Sequence, residues 1–431
     1  MSLQARLAAY LFLDAFVLLY PVYALLFEDT GLSTAEISSL FVVWAVVALV
    51  VEIPSGVWAD AVSRRLLLVL APLLTGAGFA LWVLVPSFPA FAVGFVLWGT
   101  GGSLQSGALE SLVYDELHRT GTASRYAAVM GRGRAAGAAA LTAGTALAAP
   151  VLAVGGYLAV GAASVATCLA AALVARSFPE HRGAVPNPEP DPEPSPEPSP
   201  EPNDQEDAEE DDEAEGFQEF VRVLREGVAE VRGRPAVLAA VLLVPAVAVI
   251  WGSLEEYLPL LAAGTGASAA AVPLLLLVVS VGQSAGGLLA GRGPRDGWSG
   301  RRLAALIVLG AVLLAAGSLL DRPAGFVLLA VAFGAFQLAT VTADARLQQA
   351  ITGRARSTVT SLAGFLTDVS TIGVYGLYAA GSAVAGHPVL FAVAALGYLV
   401  LAAVLVAPGI SRSRRTRRTR RQRRVPVPDA R

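Results

Sequence analysis

Ionisable side chains interrupt long apolar stretches of this chain at Asp14, Glu110, Glu255, Glu256, Asp344 and Asp368, and again at Arg132, Arg134 and Arg346. A charge inside hydrocarbon is costly, so such residues face a protein interior or a water-filled cavity, where they pair with one another or handle protons and cations. Asp14 lies about seven residues into its apolar window, roughly 10 Å deep at 1.5 Å per residue. It reads equally as a group for substrate or proton and as a structural hydrogen-bond acceptor. Asp368 stands about a dozen residues into its own window, nearest the midplane of all the acids. A carboxyl that is neutral when dry and ionised when wet suits proton coupling; bonding to Ser361 or Thr371 is the structural alternative. Glu110, Arg132 and Arg134 lie at matching depth on consecutive windows, which predicts a buried pair or triad, since a lone buried arginine has no cheap escape. Asp344 and Arg346 repeat the arrangement later in the chain. Glu255 and Glu256 are adjacent, so one helical turn cannot point both the same way, and one of them faces a cavity or its outer mouth beside Tyr257.

Polar and aromatic residues complete the candidate cavity lining. Tyr20, Trp44, Trp98, Tyr257 and Tyr375 offer cation–π or stacking contacts, although aromatics near span ends also serve as interfacial anchors. Gln105, Gln283 and Gln337 either contact a ligand or bond across to another helix. Catalysis finds no foothold. The three histidines, His118, His181 and His387, lie in loops or at window ends, and neither a His-Glu-x-x-His metal motif nor a Gly-x-Ser-x-Gly nucleophile turn occurs. The chain has no lysine, which excludes Schiff-base chemistry and a G-x-x-x-x-G-K-[ST] phosphate loop. The expectation is therefore a non-enzyme without metal or cofactor. Cys168, the single cysteine, sits among alanines and reads as packing.

The elements that must position these residues are membrane spans. Apolar residues make up 55% of the 431 and charged ones 15%, with a mean hydropathy of +0.62, so too little polar surface exists to clothe a soluble body. A spanning helix needs about 20 mostly apolar residues. Windows of that kind fall at roughly 7–27, 35–57, 65–86, 89–113, 128–150, 154–175, 236–262, 269–291, 302–320, 324–348, 357–381 and 387–408. No small-residue cleavage site follows the first, which reads as a retained helix. Arginines of short loops mark the cytoplasmic side. Arg64, Arg65, Arg119, Arg125, Arg292, Arg295, Arg301, Arg302, Arg354 and Arg356 fall in alternate loops. The intervening loops are acidic or neutral, with Arg322 beside Asp321 the exception. Both termini are then cytoplasmic, as an even number of spans also requires.

The domain reading follows: a six-helix bundle over 1–176, a disordered acidic Pro/Glu-rich linker over 177–216, an amphipathic cytoplasmic helix over 217–233, a second bundle over 234–409 and an Arg-rich tail over 410–431. The linker self-repels and cannot form a core. Phe217, Phe220, Val221, Leu224, Val228 and Val231 recur at helical spacing among arginines, as in a helix lying on the inner membrane surface. The basic tail favours the anionic membrane surface over nucleic acid. The halves echo each other: Leu18-Leu19-Tyr20-Pro21 before Thr30-Gly31 is similar to Glu256-Tyr257-Leu258-Pro259 before Thr265-Gly266.

The loop Gly56-Val57-Trp58-Ala59-Asp60-Ala61-Val62-Ser63-Arg64-Arg65 resembles the G-x-x-x-D-R-x-G-R-R motif between the second and third helices of the major facilitator superfamily. Gly56, Asp60, Arg64 and Arg65 match, while Ala61 and Ser63 depart from the pattern. A degenerate second copy, Gly287 to Arg292, has Gly291 where the acid belongs. Glu52-Ile53-Pro54-Ser55-Gly56, Ser106-Gly107-Ala108-Leu109-Glu110 and Arg356-Ser357-Thr358-Val359 resemble a prokaryotic efflux-like subset. Gly137, Gly144, Pro150, Gly155 and Gly156 are faintly similar to the Gly/Pro-rich stretch of drug:proton antiporters, or simply allow close helix packing.

The resemblance implies an all-α membrane protein of 12 transmembrane helices in two pseudo-symmetric six-helix bundles, rocking about a midplane cavity. It implies a latch in which Asp60 caps the start of helix eleven near Arg354 to Ser357, with Arg119 as salt-bridge partner. The expected activity is proton-coupled efflux of a small organic solute by a monomer in a prokaryotic inner membrane, with no nucleic-acid partner. Proton-coupled uptake and a non-transporting receptor or scaffold are the alternatives.

Overall fold

The computed structural model describes residues 2–181, 231, 233–291, 298–351 and 356–407, with side chains left aside at 53–61 and 357. Its helices, in chain order, are α1 (Leu3–Ala15), α2 (Tyr23–Asp29), α3 (Thr34–Ala61), α4 (Arg64–Leu84), α5 (Phe88–Arg119), α6 (Tyr126–Ala175), α7 (Pro235–Glu255), α8 (Leu258–Gly264), α9 (Val272–Ala290), α10 (Gly300–Leu319), α11 (Gly325–Ala350), α12 (Arg356–Ser382) and α13 (His387–Val406). No strand occurs among the described residues.

Eight of these helices are long and apolar enough to cross a membrane on length and composition alone. The remaining crossings have local reasons for falling short. At 50 residues, α6 would run about 75 Å if straight, more than twice the hydrocarbon thickness of about 30 Å. It is two spans joined at Gly156, whose φ of 61° and ψ of −164° belong to a region essentially only glycine enters. The first span is broken into α1 and α2 across residues 16–22, where Pro21 has no N–H to continue the ladder. The seventh, whose α7 is among the eight, is likewise broken, between α7 and α8 at Glu256 and Tyr257, just before Pro259. The two breaks coincide with the paired sequence echoes. Polar residues and glycines spread along α5 and α12 dilute the apolar windows of those two helices.

Helix starts are specified locally. Ser33 and Glu36 form a capping box: the Ser33 N–H and hydroxyl donate to the Glu36 carboxylate at 2.8 and 2.7 Å, and the Glu36 N–H donates to Ser33 Oγ at 3.3 Å. Each device satisfies N–H groups that the first turn leaves without partners. Ser63 caps α4 and Ser299 caps α10 in the same way.

Within the first half, α1 packs on α6, α4 on α5 and α6, and α3 on α5. In the second, α9 packs on α11, α10 on α11 and α13, and α7 on α11 and α12. Small residues allow the backbones to meet. A Cβ at Gly282 would lie 2.0 Å from the Ala330 carbonyl oxygen, and one at Gly286 would lie 2.1 Å from that of Gly334. These residues stand four apart on each helix, the spacing of close-packed membrane interfaces. Gly137 and Gly144, read as either antiporter-like or packing residues, sit against the backbone of residues 11–17. Cys168 is buried against Gly76.

The two halves meet through α3 with α12, α6 with α9, and α2 with α8. The connections carrying Arg64, Arg119, Arg125 and Arg301 define one face of the molecule, here the basic face. The short connections at 85–87, 265–271, 320–324 and 383–386 define the other, the neutral face. The proposed amphipathic helix, the acidic linker and the Arg-rich tail lie outside the described residues, apart from Val231 and Gly233 and from residues 177–181 at the start of the linker, where Phe178 is buried in the first half.

Candidate functional site

The break between α1 and α2 is held open by a side chain. Ser164 of α6 accepts from the Leu19 N–H at 3.0 Å, replacing a bond the interrupted helix cannot make. One turn before the break, Asp14 accepts from Gln105 Nε2 of α5 at 2.9 Å. Two candidates from separate windows are thus joined, and the partner of the acid is a neutral amide. Further along the same face of α5, seven residues from Gln105, Trp98 stacks between Tyr20 (centroids 5.3 Å apart, planes 18° apart) and Trp44 (5.1 Å, 21°). The three rings form one offset stack, contributed by the helix break, α3 and α5, that packs against the core.

A cavity of about 570 Å³ is lined by Leu11, Glu52, Gly102, Gln105, Ser106, Gly107, Leu109, Glu110, Met130 and Arg134, so that of the acid–amide pair it is Gln105 that faces it. It opens toward the basic face, where Glu110 and Arg134 pair at 2.8 Å with side chains 55% and 70% exposed. The expected buried triad is corrected on this point. The pair stands at the cavity mouth and remains hydrated, and Arg132 turns away to donate to Gln4 at 3.2 Å. The second expected pair does not form: Asp344 is exposed, Arg346 donates to the Trp298 carbonyl at 2.7 Å, and residues two apart on a helix do not face each other.

In the second half, Glu255 at the end of α7 is exposed. The Gln283 side chain of α9 approaches it. Glu256 points elsewhere, as two adjacent residues on one turn must, and accepts from the Tyr23 hydroxyl of the first half. Tyr257 donates to Ser38 Oγ at 2.8 Å, again across the halves. Phe41 packs edge-on against Tyr257 at 5.3 Å and tilted against Tyr375 at 5.4 Å. Tyr257 and Tyr375 are therefore buried in the closure between the halves and do not line the open cavity. Tyr257 also stacks on Tyr378 at 3.7 Å, and the Tyr378 hydroxyl bonds His387 Nδ1 at 2.7 Å. These cross-half contacts all lie on the neutral-face side of Asp14, so the neutral face is shut while the basic face is open.

Asp368 on α12 is half-buried, with the Glu52 carboxylate of α3 close enough to act on it. Among the described residues it has no hydrogen bond to Ser361 or Thr371. Gln337 lies beside Gly287, on the α9–α11 interface. Of the latch residues, the side chains of Gly56 and Asp60 lie outside the described set. Arg64 pairs with Asp115, the Arg65 N–H donates to Glu180 at 3.4 Å, and Arg119 pairs with Glu116 at 2.9 Å.

Sequence reasoning missed the hub on the basic face. Glu116 lies beyond the apolar window of α5 with a side chain only 6% exposed, yet it accepts from Arg119 at 2.9 Å and from the His181 N–H at 3.2 Å, and His181 Nδ1 lies 2.8 Å away. Burial opposes its charge, but the bonds from His181 and Arg119 outweigh burial and hold the carboxyl below the usual carboxylate range. Tyr23 and Ser38 were missed as well. The Glu-x-x-Arg spacing of Glu116 and Arg119 was a legible signal; nothing in the sequence marks Tyr23 or Ser38, whose partners lie more than 200 residues away.

Residues 7–374 match the sequence model of the Major Facilitator Superfamily. No curated protein matches the chain. Among solved structures, the nucleoside transporter NupG is similar at 12% identity with a TM-score of 0.67, over 94% of this chain and 98% of that one. A D-xylose-proton symporter is similar at 16% and 0.62, over 94% and 96%. A bacterial homologue of the human lysosomal transporter Spinster, inward-facing and unoccupied, is similar at 16% and 0.60, over 94% and 95%. At such identities these likenesses speak to the fold.

Proposed function

Because the chain belongs to the major facilitator superfamily and is a secondary transporter of small solutes, we propose that it exports a small organic solute in exchange for protons. The observation that carries this reading is the pairing of an open basic face with carboxyls set inside the bilayer and a shut neutral face. Asp14 and Glu255 stand inside, each with a neutral amide beside it. A carboxyl without a basic partner can take up and release a proton as the cavity wets and dries.

With arginine-rich loops inside, the open side is cytoplasmic and this is the inward-open state. Solute enters from the cytoplasm, and the bonds of Tyr23 to Glu256 and Tyr257 to Ser38 must part to release it outside. The Asp60 latch of the resembling motif would form as the basic face closes. An Asp at a helix N-terminus contributes about 0.3–1 kcal/mol exposed and up to about 2 kcal/mol partly buried, enough to bias such an equilibrium without freezing it.

Reconstituted vesicles test the reading. An imposed proton gradient should drive solute against its own gradient and opposite to proton flow, and Asp14→Asn with Glu255→Gln should abolish the pH dependence. Proton and solute moving the same way would reject export in favour of uptake, the second reading. Retained pH dependence in the double variant would reject these two carboxyls as the coupling groups.

A further inference from the structure

In a regular α-helix the Trp251 N–H of α7 would donate to the Val247 carbonyl, four residues back. The Tyr398 hydroxyl of α13 stands in that rung. It accepts from the Trp251 N–H at 2.9 Å and donates to the Val247 carbonyl at 3.0 Å, which one hydroxyl, with a proton and two lone pairs, can do at once. A side chain inserted into the ladder bends a helix. The ladder of α7 is already weak here, because Pro245 has no N–H for the rung to Val241. Neighbouring helices hold the insertion in place. Tyr398 is fully buried and stacks on Phe336 of α11 with centroids 4.1 Å and planes 17° apart, while Trp251 Nε1 donates to Thr340 Oγ1 of α11 at 3.1 Å.

Two residues beyond Trp251, Ser253 Oγ is buried and has no hydrogen-bond partner among the described residues. Other serines of these spans give their proton to the carbonyl four residues back, Ser164 to Val160 at 2.8 Å and Ser280 to Leu276 at 3.1 Å. Ser253 does not. A buried hydroxyl without a partner carries its desolvation cost with no return, and its position says which conformation bears that cost. Just past α7 come Glu256 and Tyr257, the two members that the second half contributes to the closure of the neutral face.

We propose that residues 247–253 form a two-state hinge with the Tyr398 hydroxyl as its pin. With the hydroxyl inserted, α7 bends and sets Glu256 and Tyr257 against the first half. With it withdrawn, the Trp251 N–H bonds Val247 directly, α7 straightens, Ser253 turns onto a partner and the neutral face opens. Each state leaves one hydroxyl unsatisfied, Ser253 in the shut form and Tyr398 in the open one, so the two packings lie close enough in free energy to interconvert. The hinge works the same way whichever solute is moved and in whichever direction.

The test is the distance distribution between spin labels at Thr30 and Ser268, both exposed on the neutral face, in full-length protein in nanodiscs. Tyr398→Phe keeps the ring and its stacking and removes only the pin. The ratio of long to short distances should rise several-fold, up to about tenfold for one hydrogen bond. Ser253→Ala removes a group that only the open state satisfies. Added to Tyr398→Phe, it should bring the ratio back toward wild type, a reversal that a second structural defect does not produce. If Tyr398→Phe fails to elute as a monodisperse protein, Ser253→Ala in a Tyr23→Phe background carries the test, because Tyr23→Phe weakens the closure at Glu256 and leaves the hinge intact; the long-distance population should shrink there too. A wild-type distribution in folded Tyr398→Phe overturns the hinge, as does a Ser253→Ala change that leaves the long-distance population unchanged or enlarges it.

Discussion

Tyr23→Phe removes one oxygen from the closure at the neutral face, and its consequence follows from the two polar contacts that join the halves there. The Tyr23 hydroxyl donates to the Glu256 carboxylate, and Tyr257 donates to Ser38. A hydrogen bond to a charged group contributes about 1.5–3 kcal/mol and a neutral one about 0.5–1.5 kcal/mol. When the neutral face opens, all four groups meet water, so the loss falls on the closed state. At tenfold per 1.4 kcal/mol, Tyr23→Phe should shift the closed-to-open ratio by roughly 10- to 150-fold, and Ser38→Ala by roughly 2- to 10-fold. Spin labels at Thr30 and Ser268, both exposed on that face, would report the shift as a growing long-distance population in double electron–electron resonance. The one native thiol, Cys168, is buried and need not be removed. The comparison carries its own control, because a Glu256 that is already protonated reduces the Tyr23 effect to the size of the Ser38 effect. A distance distribution unchanged in both variants would refute the assignment of this closure to these bonds.

Two glycines with equal room should respond oppositely to alanine. Gly156→Ala forces a side chain into φ 61° and should lower thermal stability by about 1–3 kcal/mol, while Gly102→Ala, helical and unobstructed, should raise it by up to about 1 kcal/mol; a scan showing the same sign for both would reject the backbone argument. Glu116 ionises below the ordinary range in the folded chain, so its stabilisation is complete above the unfolded value of about 4.3 and is lost as pH falls through the lower native value. Melting temperature should drop over that acidic window in the wild type, and less steeply in Glu116→Gln. Asp60→Asn should cut transport sharply with expression and folding intact, and wild-type flux from that variant would remove the latch.

The spans were legible because length and hydrophobicity suffice to define them, but the breaks before Pro21 and Pro259 were not read, since 7–27 and 236–262 look continuous by hydrophobicity alone. The acids were legible as anomalies, since nothing else in an apolar helix attracts notice. Their partners were not. Glu110, Arg132 and Arg134 look alike in sequence, but only the direction of each side chain on α6 decides that one meets Glu110 and another meets Gln4. The closure at Tyr23 and Ser38 was hidden for a related reason: a tyrosine or serine in an apolar helix has many ordinary explanations, and its role here comes from how two distant helices are docked.

The continuous run of α6 through Gly156 has a practical side. Spans five and six turn at the neutral face without any intervening loop, and the other connections there are only a few residues long. Proteases applied to that face would find almost no chain to grip, whereas Arg119 and Arg125, both exposed, offer tryptic sites on the basic face. Limited digestion of sealed vesicles would thus act as a compass: fragments should appear only in the preparation that turns the basic face outward.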